Sequence, residues 1–159
     1  VPCSARAWSN FSPHHYLSQK INSSSRCWLI YWKEQQTVIG FTSCLAQPSG
    51  TIKNAWRGHR TVVLPEYQGL GFGVRISDLM GEIFTKQGCR YFSKTAHPRM
   101  GEYRENSVLW KGTSKNKKKR KDYISMSVND KKHSKEHLAK HSDRLCYSHE
   151  FISESKNES

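Results

Sequence analysis

Thr61-Val62-Val63-Leu64-Pro65-Glu66-Tyr67-Gln68-Gly69-Leu70-Gly71-Phe72-Gly73 is the stretch around which this chain is organised. A β-branched run stops at Pro65, which has no N–H to give to a sheet ladder. A loop with glycine at 69, 71 and 73 follows. Phe72, Ile76, Leu79, Met80, Ile83 and Phe84 then recur at helical spacing up to Gln87, where Gly88 gives a stop. Strand, glycine loop and helix N-terminus thus come in immediate succession. Glycines there let backbone N–H groups converge at the positive end of the helix, where phosphate oxygens meet donors and dipole together. The spacing predicts a diphosphate cradle.

Two nucleotide motifs are excluded by spacing. A Walker loop requires Lys-Ser/Thr after its last glycine, and a dinucleotide fingerprint requires a third glycine where Ile76 stands. Gln68-Gly69-Leu70-Gly71-Phe72-Gly73, preceded by Val63-Leu64-Pro65-Glu66-Tyr67, instead resembles the acyl-CoA loop Q/R-x-x-G-x-G/A of the GNAT acetyltransferases. The resemblance runs from about Trp28 to Thr95. It implies an α/β, GNAT-like acyl-CoA N-acyltransferase fold, a mixed, mostly antiparallel sheet flanked by helices, with acetyl-CoA as co-substrate. By the same resemblance, two strands splay beside Val62, Val63 and Leu64, whose backbone pairs with the pantetheine arm, while Gln68, Gly69, Leu70, Gly71, Phe72, Gly73 and Val74 hold the diphosphate. Asn54 to Pro65 together with Thr95 to Arg99 also resembles acetyltransferase-like proteins of bacteria and phages, which implies a microbial or phage origin.

The resemblance places a catalytic Glu near the start of the splayed strand, yet no carboxylate stands between Thr51 and Leu64. His59 is the nearest group able to accept a proton near neutral pH. Its two readings are a general base and a structural histidine. The family's last short helix commonly supplies a Tyr that protonates the departing thiolate, and Tyr103 occupies that place, without the usual Asn-x-x-Ala before it. It reads either as that acid or as a core or surface Tyr.

Charge is the other strong signal. The 159 residues hold 26 Lys and Arg against 13 Asp and Glu, a net charge of +13. That favours an acidic partner such as nucleic acid or CoA itself, or is simply a solvated basic surface. Lys111 to Lys121 carries seven cations in eleven residues. Lys115, Lys117, Lys118, Lys119, Arg120 and Lys121 are the candidates for a phosphate backbone. A division of the chain follows, with a GNAT-like domain over 1–110, its N-terminus a possible truncation point, and a basic C-terminal extension over 111–159. Two classes of function remain open: an N-acetyltransferase acting on an amine in nucleic acid, protein or a small molecule, and a nucleic-acid-binding module without chemistry.

The remaining residues fill in the frame. Ser12-Pro13 predicts a short helix to Ile21 with Phe11, Tyr16, Leu17 and Ile21 on its buried side. His14 and His15 are adjacent, diverge by about 100° on a helix, and make a poor metal pair. Cys27 to Trp32 and Val38 to Leu45 predict an antiparallel hairpin whose aromatics form core rather than a base-stacking platform. Strands are expected over Cys89–Thr95 and Val108–Trp110. Lys131 to Leu145 can form a helix with His133, His137 and His141 on one face, but no Cys or carboxylate set completes a metal site. Arg144 to Ile152 is apolar enough to dock on the domain. Five cysteines without C-x-x-C spacing give neither a disulfide framework nor a zinc knuckle. No signal peptide or membrane-spanning run is legible, so a cytoplasmic location is the default.

Overall fold

The computed structural model describes residues 1–15, 20–119 and 145–153. Its sheet has the strand order β1-β2-β3-β4-β5-β8-β6, with β7 paired to β8 off that path. The strands are β1 (Pro2–Cys3), β2 (Arg26–Trp32), β3 (Thr37–Ala46), β4 (Ala55–Val63), β5 (Arg90–Thr95), β6 (Trp110–Gly112), β7 (Lys118–Lys119) and β8 (Leu145–Phe151). All pairings are antiparallel except β4 with β5. A parallel pair needs a crossover, and helix α1 (Phe72–Lys86) supplies it. The mixed, mostly antiparallel sheet is the one expected from the sequence.

Helix α1 and helix α2 (Pro98–Asn106) cover one face. Ile76, Met80 and Phe84 of α1 are buried against Cys44, Tyr91 and Trp110. The opposite face is covered by the N-terminal segment, whose Trp8 and Phe11 pack on Phe41 and Val62. Here the structure departs from the expected helix over 12–21: 3₁₀ turns at Ala5–Asn10 and Ser12–His14 take its place. Phe11 is buried as expected, Ile21 is half-buried beside it, and Tyr16 and Leu17 lie outside the described residues. His14 is exposed and His15 stacks edge-on against Trp8.

The sheet runs across the boundary expected after Trp110. Strand β8 lies between β5 and β6, and its Phe151 is 2% exposed. Glycine makes this insertion possible. A Cβ at Gly81 of α1 would overlap the Phe151 ring, and one at Gly101 of α2 would overlap Tyr147. The reading of residues up to 152 as an apolar docking segment holds, and docking takes the form of a strand inside the sheet. Cations of residues 111–119 dilute the apolar pattern on either side, which hides β8 from a composition-based division.

Two polar knots fasten the C-terminal strands to the helices. Asp78 of α1 accepts from Trp110 Nε1 at 2.7 Å and from Tyr103 Oη at 2.5 Å. Glu105 of α2 pairs with Lys117 Nζ and with His149 Nε2, both at 2.6 Å. Lys117 first, then Asn116, hold the Glu105 carboxyl down to about 2, so Glu105 stays ionised through the neutral range. No helix among the described residues is long and apolar enough to cross a membrane.

Candidate active site

Strands β4 and β5 are neighbours for three residue pairs only, Ala55 with Arg90, Trp56 with Tyr91 and Arg57 with Phe92. Beyond them β5 continues along β8 while β4 continues along β3 to Val63. A V opens between the two. Which groups of β4 border it follows from strand alternation. Leu64 N–H donates to Ile39 C=O at 2.9 Å. Counting back by twos, Val62 turns its backbone groups to β3, and Thr61 and Val63 turn theirs into the V. Of Val62, Val63 and Leu64, the backbone of Val63 alone lies on the open edge. The side chains of Val62 and Leu64 pack under the N-terminal segment. Thr61 is the residue the sequence did not single out, because its orientation depends on the register with β3.

At the wide end of the V the chain passes through a 3₁₀ turn, Pro65–Tyr67, into the glycine loop. Gln68 Nε2 donates to Val63 C=O at 2.9 Å, tying the loop to the strand edge. Gly69 and Gly71 have φ of +82° and +79°, which is why glycine is needed at both. A Cβ at either would meet nothing within 4 Å. Gly71 caps α1 without a side-chain hydrogen bond, and the first turn holds no acidic residue. The first-turn amides of Phe72, Gly73 and Val74 therefore have no acceptor within the helix or from its cap, at the positive helix end. Those residues fit a diphosphate, as the backbone of Thr61 and the N–H of Val63, whose carbonyl Gln68 holds, fit an extended amide-bearing arm.

The narrow end of the V is set by a β-bulge. Ser43 pairs with Arg60 and Cys44 with Gly58, leaving His59 as the extra residue. The His59 ring reaches the N-terminal segment, where Nε2 accepts from Asn22 N–H at 3.4 Å. Burial first, then the Arg60 and Arg57 charges and His15, pull the imidazole down to about 4. It is neutral at pH 7. Tyr103 stands elsewhere, in the seam between α1 and α2, with its hydroxyl proton on Asp78. Burial and that hydrogen bond raise its pKa above the ordinary phenol value. The two catalytic candidates have separate partners.

The family model described as the acetyltransferase (GNAT) family matches residues 2–104. This chain belongs to the GNAT family. Among the solved structures that match this GNAT chain, a spermidine N-acetyltransferase chimera from Vibrio cholerae and hSSAT is 12% identical, with a TM-score of 0.55 over 82% of this chain and 69% of that one. A further chimera of the same two sources is 13% identical, with a TM-score of 0.53 over 82% and 67%. Nourseothricin acetyltransferase is 15% identical, with a TM-score of 0.48 over 80% and 65%. At these identities the likeness to the two chimeras is one of fold. No curated protein sequence matches the chain.

The basic run of this GNAT chain is divided by the fold. Lys117 is engaged by Glu105, Lys118 and Lys119 pair with Cys146 and Leu145 through their backbones, and Lys115 is exposed. Arg120 and Lys121, and the histidine face at 133, 137 and 141, lie outside the described residues. Among the described residues no cluster of three His, Cys, Asp or Glu could hold a metal ion, and all five cysteines are free.

Proposed function

We propose that the protein transfers an acetyl group from acetyl-CoA to an amine by direct attack, without a covalent enzyme intermediate. The observation that carries this is the V between β4 and β5, with an open backbone edge along one arm and an uncapped helix N-terminus at its wide end. Bound acetyl-CoA supplies the activated thioester. The amine nitrogen forms a bond to the acetyl carbon, the carbon–sulfur bond breaks, the thiolate leaves and the amine proton passes to a base. Thr61 and Val63 hold the pantetheine arm in line, and backbone N–H donors of that edge polarise the carbonyl. Labelled acetyl-CoA offered with separate pools of small amines, protein and nucleic acid tests the reaction. Label in one pool supports it; label in none counts against it.

His59 is proposed as the proton acceptor, and its surroundings limit what it can contribute. A base near 4 is far from the pH of the reaction, so it works below the usual 10² to 10⁴-fold range of a matched general base. His59→Ala is expected to lower turnover by about tenfold or less. The acidic limb of the parent pH-rate profile should lie near 4, since His59 stays unprotonated above that value. A limb near 6.5 that vanishes in His59→Ala would contradict this.

Tyr103, proposed as the acid, must release Asp78 to serve a thiolate that needs little help, a thiol pKa being about 8.5. Tyr103→Phe is expected to leave turnover within about twofold while lowering stability by about 1 to 2 kcal/mol through the missing hydrogen bond to a carboxylate. Thermal unfolding beside the rate assay separates the two effects.

A nucleic-acid interaction of Lys115 to Lys121 is a separate proposal that rests on charge. Neutralising Lys115 and Lys118 should flatten the salt dependence of DNA binding by nearly one unit of slope for each lysine–phosphate pair removed. An unchanged slope returns these lysines to the solvated surface.

A further inference from the structure

Where β4 and β5 part, a cavity of about 310 Å³ opens, lined by Gln47, Pro48, Arg57, Gly58, Phe92, Ser93 and Lys94. Its volume is in the range of small-molecule sites. It lies at the closed end of the V, beside the His59 bulge, where an acceptor would meet the thioester.

Among the described residues, the charged side chains that line this cavity, Arg57 and Lys94, are both basic. Arg57 and Lys94 are exposed at its rim, and no ion pair among the described residues engages either. Arg60 stands further along β4. Glu150 on the adjoining strand is the nearby carboxylate, but Arg90 takes both of its oxygens, at 2.6 and 2.7 Å. Among the described residues, a second ammonium group on an acceptor would find no free carboxylate there.

We infer that the acceptor is a small primary amine carrying an anionic group, carboxylate or phosphate, close to its nitrogen, with Arg57 and Lys94 as the residues that select it. The inference rests on the acetyltransferase reading above. Opposite effects on the two ends of such a molecule make the arrangement productive. The cations destabilise the incoming ammonium, which raises the fraction of free amine able to attack. Charge-assisted hydrogen bonds to the anion offset that repulsion and fix the nitrogen's position. Phe92 forms an apolar wall for the short linker between them.

Matched acceptors test it: glycine against glycinamide, O-phosphoethanolamine against ethanolamine, and spermidine as a polycation, each with saturating acetyl-CoA. The expected result is a kcat/KM at least about tenfold higher for the anionic member of one pair, mostly through KM. The glycine and phosphoethanolamine arms identify which anion is taken. Arg57→Ala or Lys94→Ala should narrow that ratio several-fold, and Arg57→Lys should restore much of it, while acetyl-CoA affinity by calorimetry stays as in the parent. Turnover of spermidine or of the neutral amines in preference to the anionic ones overturns this inference and leaves the acetyltransferase reading standing. Failure to acetylate any amine, with acetyl-CoA bound, overturns both.

Discussion

Gly73→Asp is expected to abolish acetyl-CoA binding, with a loss of affinity of at least about 100-fold, while the domain stays folded. The substitution sits in the first turn of α1, where an acidic side chain ordinarily stabilises a helix by about 0.3 to 1 kcal/mol. Its Cβ would meet only Met100 Cε, at 3.5 Å, an ordinary contact. Stability therefore has no reason to fall. Binding does, because a carboxylate would stand where the diphosphate must sit. Like charges about 4 Å apart repel by about 4 kcal/mol at the effective dielectric of a protein surface. Gly73→Asn, of the same shape without the charge, should keep part of the affinity. Gly71→Asp is the less clean version, since Gly71 has φ of +79° and a side chain there adds about 1 to 2 kcal/mol of strain. Calorimetry with the purified variants checks this, and equal affinity for parent and Gly73→Asp would remove the loop from the site.

Phe151→Ala is expected to destabilise the protein by about 3 to 5 kcal/mol, the cost of emptying a buried aromatic site. The residue is 2% exposed, fits against Gly81, and stands edge-on to Trp110 at 5.2 Å between ring centroids. Such a loss approaches the whole stability of many domains of this size. Denaturant unfolding should show the midpoint falling with the slope unchanged. A loss below about 1 kcal/mol would mean that β8 is peripheral to the fold, against its place between β5 and β6.

Legibility in the sequence follows the range of the interactions. Strand, glycine loop and helix from Thr61 to Gln87 are local, and the structure has them with helix bounds of Phe72 and Lys86. The hairpin of β2 and β3 is equally plain, its two apolar runs being separated by a short polar turn. What escapes depends on pairing between distant residues. Thr61 borders the V only because Leu64 is in register with Ile39. Tyr103 can be placed on a helix from sequence, but its commitment to Asp78, 25 residues away, cannot. His59 is recognisable by its chemistry, and its low proton affinity comes from neighbours brought in by folding: Arg60 and Arg57 along the strand and His15 from the N-terminal segment. Strand β8 is the largest omission in the division of the chain. A short apolar run beyond a cationic stretch gives no local sign that it inserts beside β5.

The most direct test is residue-resolved amide hydrogen exchange with and without saturating acetyl-CoA. Thr61 and Val63 hold the N–H groups assigned to the open edge of β4, and Phe72, Gly73 and Val74 those at the uncapped start of α1. Exchange at these five amides should slow on ligand binding, while β2, on the far side of β3, should not change. Unaltered exchange at Thr61 and Val63 under saturation, or protection confined to another surface, would contradict the placement of acetyl-CoA between β4 and β5.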